Sequence, residues 1–398
     1  MKIVFVVVRL ADDGGSRMVV DWANCLSEKG HQVSIMLPRG TCRMHFPIMA
    51  TVKEVGLALP WRLPTVLLGL LLTPFMAPPA DIYIGTMPPI PLVVFLLSRI
   101  WRATGWNIVQ GDDVTLFDER SRLKSLFLLK IYRRVALLSL RLPLKLVANS
   151  HWTVGRVMSY TGRACPIIHP LIDTEIFRPS DTQYRPAPSW EIVCIGARAR
   201  SKGTGEVIEA VNALWGEGIP LRLTIISKDE LQFGNLPFPV RLIHPKTDEE
   251  LSSICSLASV FVHAAWQEGF ALPPLEAMAC GVAVVLADSG GPREYAVDGY
   301  NCLLVPPKNA PQLAAAIRRL LSDPSLARQL AENGVRTAAK FDKRLLSGQV
   351  ERLLLGGASS GDGSESRFLV TGHGGPRKGR PRFLGFLPPP PLAPGPLV

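Results

Sequence analysis

The stretch Trp266-Gln267-Glu268-Gly269-Phe270-Ala271-Leu272-Pro273-Pro274-Leu275-Glu276-Ala277-Met278-Ala279 decides how this 398-residue chain is read. It follows Val260–His263, an apolar run of strand length. Pro273 or Pro274 suits the first turn of a helix, where proline's missing N–H costs no hydrogen bond. Glu268 then lies in the loop before the helix, and Glu276 within its first turns. Gly269 lets main-chain N–H groups approach a ligand closely. A helix N-terminus behind a flexible loop favours anions, and carboxylates beside it suit sugar hydroxyls, which donate hydrogen bonds. The competing reading is a surface loop and helix with two solvated acids.

Outward from this stretch, strands alternate with helical patterns. Residues 2–8 form an apolar run. The Ala11-Asp12-Asp13-Gly14-Gly15 loop follows, and then Val19, Trp22, Ala23 and Leu26 recur at helical spacing up to Gly30. Further strands are expected at Gln32–Leu37, Asp81–Gly85, Asn107–Gln110, Leu144–Asn149, Glu191–Ile195, Arg222–Ser227 and Val282–Leu286. This alternation predicts an α/β chain with two Rossmann-like, doubly wound parallel sheets whose carboxyl ends face a common cleft. The expected divisions are a first domain at 1–178, a polar, proline-rich linker at 179–190, and a second domain at 191–340. A terminal helix at 341–355 is placed to cross back to the first domain. Residues 356–398, with ten Gly and eight Pro, read as a disordered tail.

Composition narrows the function classes. Hydrophobic residues make up 47% of the chain and charged residues 19%, which supports folded cores. The net charge of +11 points to anionic partners without choosing among them. The seven cysteines are scattered without a CxxC pair, as expected in a reducing, cytoplasmic compartment. Met1–Val8 reads as a strand rather than a leader, because charge follows it and no small-residue cleavage site does. The apolar stretch 63–80 is interrupted by Pro64, Pro74, Pro78 and Pro79, so no transmembrane helix is expected. No RRM, KH or helix-turn-helix pattern supports a nucleic-acid partner.

Two further loops carry chemistry. Ile195-Gly196-Ala197-Arg198-Ala199-Arg200-Ser201-Lys202-Gly203 puts a Gly-containing basic turn after a strand, which suits a diphosphate. Asp12-Asp13-Gly14-Gly15-Ser16-Arg17 brings a glycine pair between the first strand and helix. It is not a GxGxxG fingerprint, so a dinucleotide site is unsupported.

With these residues in hand, 260–307 resembles the signature of the GT4-type retaining glycosyltransferases (glycosyl transferases group 1), which have the GT-B fold. Glu268 and Glu276 match the family's E-x7-E motif. Ser289-Gly290-Gly291-Pro292-Arg293-Glu294 resembles its Gly-Gly-x-x-Glu turn, and Asp298–Pro306 its next strand. The resemblance runs in order over about residues 1–355 and is strongest over 240–330. It implies a hexosyltransferase with no cofactor and no metal, using a nucleoside-diphosphate-sugar donor and a glycan or lipid-linked acceptor. It also implies a role in cell-surface polysaccharide or glycolipid synthesis. Glu276 would bind the ribose hydroxyls. Glu268 and the main chain beyond it, at Gly269, Phe270 and Leu272, would contact the donor sugar. Arg198, with Arg200 second, and Lys202 would hold the diphosphate, and Gly14 and Gly15 would line the cleft.

Two departures stand out. Arg198 sits one place later than the family's arginine, and Gln110-Gly111-Asp112-Asp113 replaces a histidine common at that point. Asp112 either contacts sugar or acceptor as a catalytic residue, or caps the next helix. The rival reading is a non-catalytic GT-B protein that binds sugars or acts as a scaffold. Finally, Arg120, Arg122, Lys124, Lys130, Arg133, Arg134, Arg141 and Lys145 interleave with apolar residues and no acid. This is either peripheral contact with an anionic membrane at its inner face, or a solvated basic face.

Overall fold

The first apolar run, Lys2–Val6, forms β1, buried from Ile3 onward. Its side chains alternate between two cores. Ile3 and Phe5 pack with Trp22, Leu26 and Ile84, while Val4 and Val6 pack with Met36, Tyr83 and Val94. A strand buried on both faces needs helices on both sides of its sheet. The computed structural model, which describes residues 1–44, 46–57, 59, 61–115, 126–180 and 189–356, supplies them.

After β1 come β2 (Leu10–Ala11), α1 (Gly14–Glu28), β3 (Gln32–Pro38), β4 (Cys42–Arg43), β5 (Thr51–Val55), α2 (Arg62–Met76), β6 (Ile82–Thr86), α3 (Ile90–Ile100), β7 (Thr104–Val109), α4 (Leu126–Arg141), β8 (Lys145–Ala148) and α5 (His151–Thr161). The six-stranded sheet runs β5-β3-β1-β6-β7-β8, all parallel. Ile3 pairs with both Val33 and Ile82, so strand order reverses at β1.

The second half repeats this plan with β9 (Trp190–Ile195), α6 (Thr204–Gly216), β10 (Leu221–Ile226), β11 (Val240–Ile243), α7 (Asp248–Ser256), β12 (Val260–His263), α8 (Leu272–Ala279), β13 (Val284–Ala287), β14 (Leu303–Val305), α9 (Ala310–Ser322), α10 (Pro324–Ala338) and α11 (Lys343–Gly356). Its order, β11-β10-β9-β12-β13-β14, matches the first sheet's. In such sheets ligands bind beyond the carboxyl ends of the strands where the order reverses. Here that places the loops after β1, β9 and β12 at the cleft.

Several boundaries differ from the sequence reading. β1 ends at Val6, and β7 ends at Val109, leaving Gln110 in the following loop. β5 and β11 were not anticipated. Both are edge strands with half-exposed faces, so neither presents a continuous apolar run. Leu171, Ile172 and Phe177 fall before the expected boundary at 178, yet they pack in the core beneath α8 and β12. The spatial division therefore comes earlier than the proline-rich segment. Most of that segment, 181–188, lies outside the described residues, as do Arg120, Arg122, Lys124 and the tail beyond Gly356.

Helix α11 lies against α1 of the first domain, with Val350 and Leu354 buried among Trp22, Leu26 and Val33. Leu354→Ala should therefore lower stability by about 2–4 kcal/mol, since a buried leucine is lost and a cavity remains. Urea denaturation followed by tryptophan fluorescence checks this. A loss below about 1 kcal/mol would mean that the helix is not part of that core.

Candidate active site

The loop after β12 is held in shape from three sides. Trp266 N–H donates to the Ser201 carbonyl at 2.8 Å, tying it to the basic loop after β9. Glu268 N–H donates to Ser289 O, and Gly291 N–H to Glu268 O, each at 3.0 Å, tying it to the Gly-Gly turn. Ala271, just before α8, has φ of +67°, a left-handed value costly for a residue with a side chain. The buried Tyr295 hydroxyl donates to its carbonyl at 2.7 Å and holds it there.

This framework sets the two glutamates in opposite environments. Glu268 Oε1 lies 2.6 Å from Lys202 Nζ and 3.5 Å from His263 Nε2. Burial alone would raise its pKa, but the Lys202 and His263 charges outweigh burial and hold it well below the usual carboxylate range. Glu276 is 3% exposed, on α8. Burial pushes it up to about 7, against the pull of Arg17.

Arg17 reaches this site from α1 in the first domain. Its guanidinium donates to both oxygens of Asp248, at 3.0 and 2.6 Å, and to Glu276 Oε1 at 3.1 Å. Burial lowers its pKa, and the facing carboxylates more than restore it. Sequence reasoning quoted Arg17 with the Gly-Gly turn but gave it no role, because its partners lie more than two hundred positions away. It also passed over His263, whose single signal was its place at the end of a strand.

The remaining expected residues divide. Gly14 and Gly15 open α1, with Asp13 as cap, rather than forming a loop. Gly15 lies against Gln110, whose side-chain amide donates to the Gly15 carbonyl at 3.2 Å. Gly269 is pressed against the first domain: a Cβ there would sit 1.9 Å from the Gln110 carbonyl oxygen. Gly290, with φ of +96°, faces Trp152, where a Cβ would sit 2.4 Å from the ring nitrogen. Glu294 accepts from the His151 backbone N–H at 2.6 Å, at the start of α5. Phe270 turns into an aromatic core with His169, Tyr295 and Phe341, so only its main chain remains for the cleft. Leu272 is also buried.

Arg198 is exposed and donates to the Glu230 carbonyl at 3.2 Å, and Arg200 is exposed too. It is Lys202 that the structure brings to Glu268. Asp112 accepts from Arg156 Nε at 2.7 Å, from the Tyr160 hydroxyl, and from the Val114 and Thr115 N–H groups. It is buried and anchors its own turn. It also lines a cavity of about 510 Å³ with Trp152, Trp266, Asp288 and Arg293. Among the described residues no group of His, Cys, Asp and Glu is arranged to hold a metal ion.

Two parallel sheets of this order facing one cleft define the GT-B architecture. Residues 181–337 match the profile of the glycosyl transferases group 1 family. Over 178 residues the chain is 30% identical to the MMP alpha-(1->4)-mannosyltransferase of Mycolicibacterium hassiacum, covering 42% of each protein. Over 102 residues it is 35% identical to a D-inositol 3-phosphate glycosyltransferase of Streptomyces bingchenggensis, covering 26% of this chain and 22% of that one. The chain thus spans less than half of the length of either relative. The structure of Anabaena HepE, solved with UDP-glucose, has a TM-score of 0.69 and covers 89% of this chain and 100% of that one. At 18% identity this is a likeness of fold.

Two outcomes follow from the geometry. On the function proposed below, Gly269→Ala should cut turnover by roughly 10²-fold, because the added Cβ displaces this loop from the first domain by an ångström or so. On that same reading nucleotide affinity should change little; a variant with wild-type turnover would show that this contact does not matter. Stability gives the second outcome. Folded protein keeps a proton on Glu276 up to about pH 7. The unfolded chain releases it near the ordinary glutamate value, so wild-type stability falls as pH rises through that window. Glu276→Gln lacks this titration and should gain on wild type between about pH 5 and 8, by up to ~3 kcal/mol. Urea denaturation across that range measures the difference, and a constant or shrinking gap would contradict the assignment.

Proposed function

We propose that this chain is a retaining hexosyltransferase that moves a sugar from a nucleoside-diphosphate-sugar to a glycan or lipid-linked acceptor. Its role would lie in cell-surface polysaccharide or glycolipid synthesis. One observation carries the reading. The E-x7-E carboxylates flank the start of α8 in the cleft, and Lys202 lies 2.6 Å from the first of them. The match of residues 181–337 to the glycosyl transferases group 1 profile supports it.

In this reading the donor rests mainly on the second domain. Glu276 accepts from the ribose hydroxyls, while Glu268 and the main chain at Gly269–Leu272 meet the sugar. The start of α8 and Lys202 offset the diphosphate charge, with Arg198 adding a cation at the loop's rim. As the bond from the anomeric carbon to phosphate breaks, charge grows on the leaving oxygen, where Lys202 stabilises it most. The acceptor oxygen forms its bond on the same face and gives its proton to that leaving phosphate. Asp112 is held by Arg156, Tyr160 and two backbone donors, which argues against its use as a nucleophile in a double displacement.

Calorimetric titration with UDP-, GDP- and ADP-sugars should find one class that binds, and the same donor should be slowly hydrolysed. Lys202→Ala should lower that hydrolysis by ~10²–10³-fold. A folded chain that binds no nucleotide-sugar would remove the proposal. One that binds without hydrolysis or transfer, unaffected by Lys202→Ala, would favour the non-catalytic alternative.

A further inference from the structure

The cavity of about 510 Å³ beside the Glu268 loop takes a wall from each half of the chain. Trp152, in the first turn of α5, lines it from the first half, and Trp266, in the loop after β12, from the second. Both indoles are half-buried, and both are fixed. Trp152 lies on Gly290, where no Cβ would fit. Trp266 donates its ring N–H to Glu206 at 3.0 Å, and the Lys308 ammonium lies 4.2 Å from its ring centroid.

Much of the remaining lining is polar, and its charges are already matched. Arg156 donates through Nε to Asp112, and Arg293 through Nε to Asp288, each at 2.7 Å. A phosphate in this cavity would meet a carboxylate beside each guanidinium, which disfavours it. A neutral polyol meets no such obstacle. Its hydroxyls can donate to the Asp288 carboxylate and accept from the Arg293 guanidinium.

A further group lacks a partner that a ligand could supply. Ser289 lines the same cavity and is 2% exposed, and its hydroxyl has no hydrogen-bond partner among the described residues. A buried hydroxyl left unmatched is destabilising, and a ligand hydroxyl would satisfy it. Indole rings with donors and acceptors around them match a sugar, whose C–H face is apolar and whose rim is polar. The volume is that of a small-molecule site.

Position decides which sugar this is. Gln267 precedes Glu268, and Gly290 pairs with Glu268 in a β-bridge; both belong to the lining. Lys202, Glu268 and Glu276 do not. The cavity adjoins the place proposed for the donor without sharing its carboxylates or its cation.

We propose that this cavity is a subsite for a neutral sugar ring of the acceptor, held by Trp152 and Trp266 and hydrogen-bonded by Asp288, Ser289 and Arg293. It deepens the proposed function, on which only the assignment to the acceptor rests. An acceptor bearing two or more sugars is then preferred to a single sugar.

Saturation-transfer NMR and tryptophan fluorescence of the full chain, without donor, test it. The probes are maltose, cellobiose, lactose and mannobiose, with inorganic phosphate as the anionic control. At least one disaccharide should bind, with the same affinity at about 0.05 and 0.5 M salt, because an uncharged ligand is not screened. Trp152→Ala should weaken it about five- to tenfold, whereas Trp152→Phe, which keeps an aromatic face, should stay within about threefold of wild type. Ser289→Ala should weaken it about three- to tenfold yet melt no lower than wild type, because the hydroxyl it removes was unpartnered. A serine with a structural role alone would leave saccharide binding unmoved. A folded chain that binds none of the disaccharides overturns the proposal, as does binding that these variants leave unchanged or that phosphate displaces. Competition between the disaccharide and a nucleotide-sugar also overturns it, because the cavity would then belong to the donor. Disaccharide binding by a chain that takes up no nucleotide-sugar would support the sugar site and remove the proposed function instead.

Discussion

The guanidinium of Arg17 ties the two halves of this molecule together. Arg17 stands on the first helix of one sheet, and its partners, Asp248 and Glu276, stand on helices of the other. All three are largely withdrawn from water. A charge so placed is tolerable only with partners, and removing any one leaves the others unpaired in a medium that solvates them poorly. The cleft walls therefore meet where α1 faces α7 and α8. On the proposed function this has a cost for the ligand. Glu276 already accepts from Arg17, so a ribose that binds there must share the carboxylate or displace the arginine. Donor binding is then coupled to the arrangement of the two halves.

Around that ion cluster, the walls touch mostly through main chain, and glycine sets how closely. Gly269 lies on the Gln110 carbonyl and Gly290 on the Trp152 ring, while within the second domain Gly203, with φ of +71°, lies on the Ala264 carbonyl. A side chain at any of these would push the facing segments apart. The strained Ala271 belongs to the same construction. It turns the chain between the two glutamates, so that one ends beside Lys202 and the other beneath Arg17. The tightness of the loops is thus what separates two identical side chains into two environments.

Much of this was legible before any coordinates. The strands at β1, β9 and β12 are apolar runs of the right length, and the prolines at the start of α8 suit a first helical turn. The edge strands β5 and β11 were not legible, because each carries exposed residues on the water-facing side. The boundary at Leu171–Phe177 was hidden because a segment before the proline-rich stretch packs with the half that follows it. The site shows the same limit. Glu268 and Glu276 could be found from local spacing, as could Lys202. Arg17, His263 and the true environment of Asp112 depend on contacts that cross the molecule, and no local pattern encodes those. The reading of 63–80 turned on its prolines. In the structure Pro64 lies in the first turn of α2 and Pro74 in its last, where neither breaks the helix.

The contrast between the two glutamates also assigns their work. Where neighbouring carboxyl groups are driven in opposite directions, their chemical roles differ accordingly. Glu268 stays ionised because Lys202 and His263 face it, so it has no proton to give near neutral pH and little basicity with which to take one. It is suited to accepting hydrogen bonds and to holding Lys202 in place. Glu276 titrates near neutrality, yet it sits beneath α1 and α7 rather than beside Lys202. Neither is placed as a general base for an acceptor hydroxyl. On the wall of the cleft near Trp152 and Trp266, Asp112 is already saturated with donors. On the proposed function, the departing phosphate then receives the acceptor's proton, as same-face transfer requires.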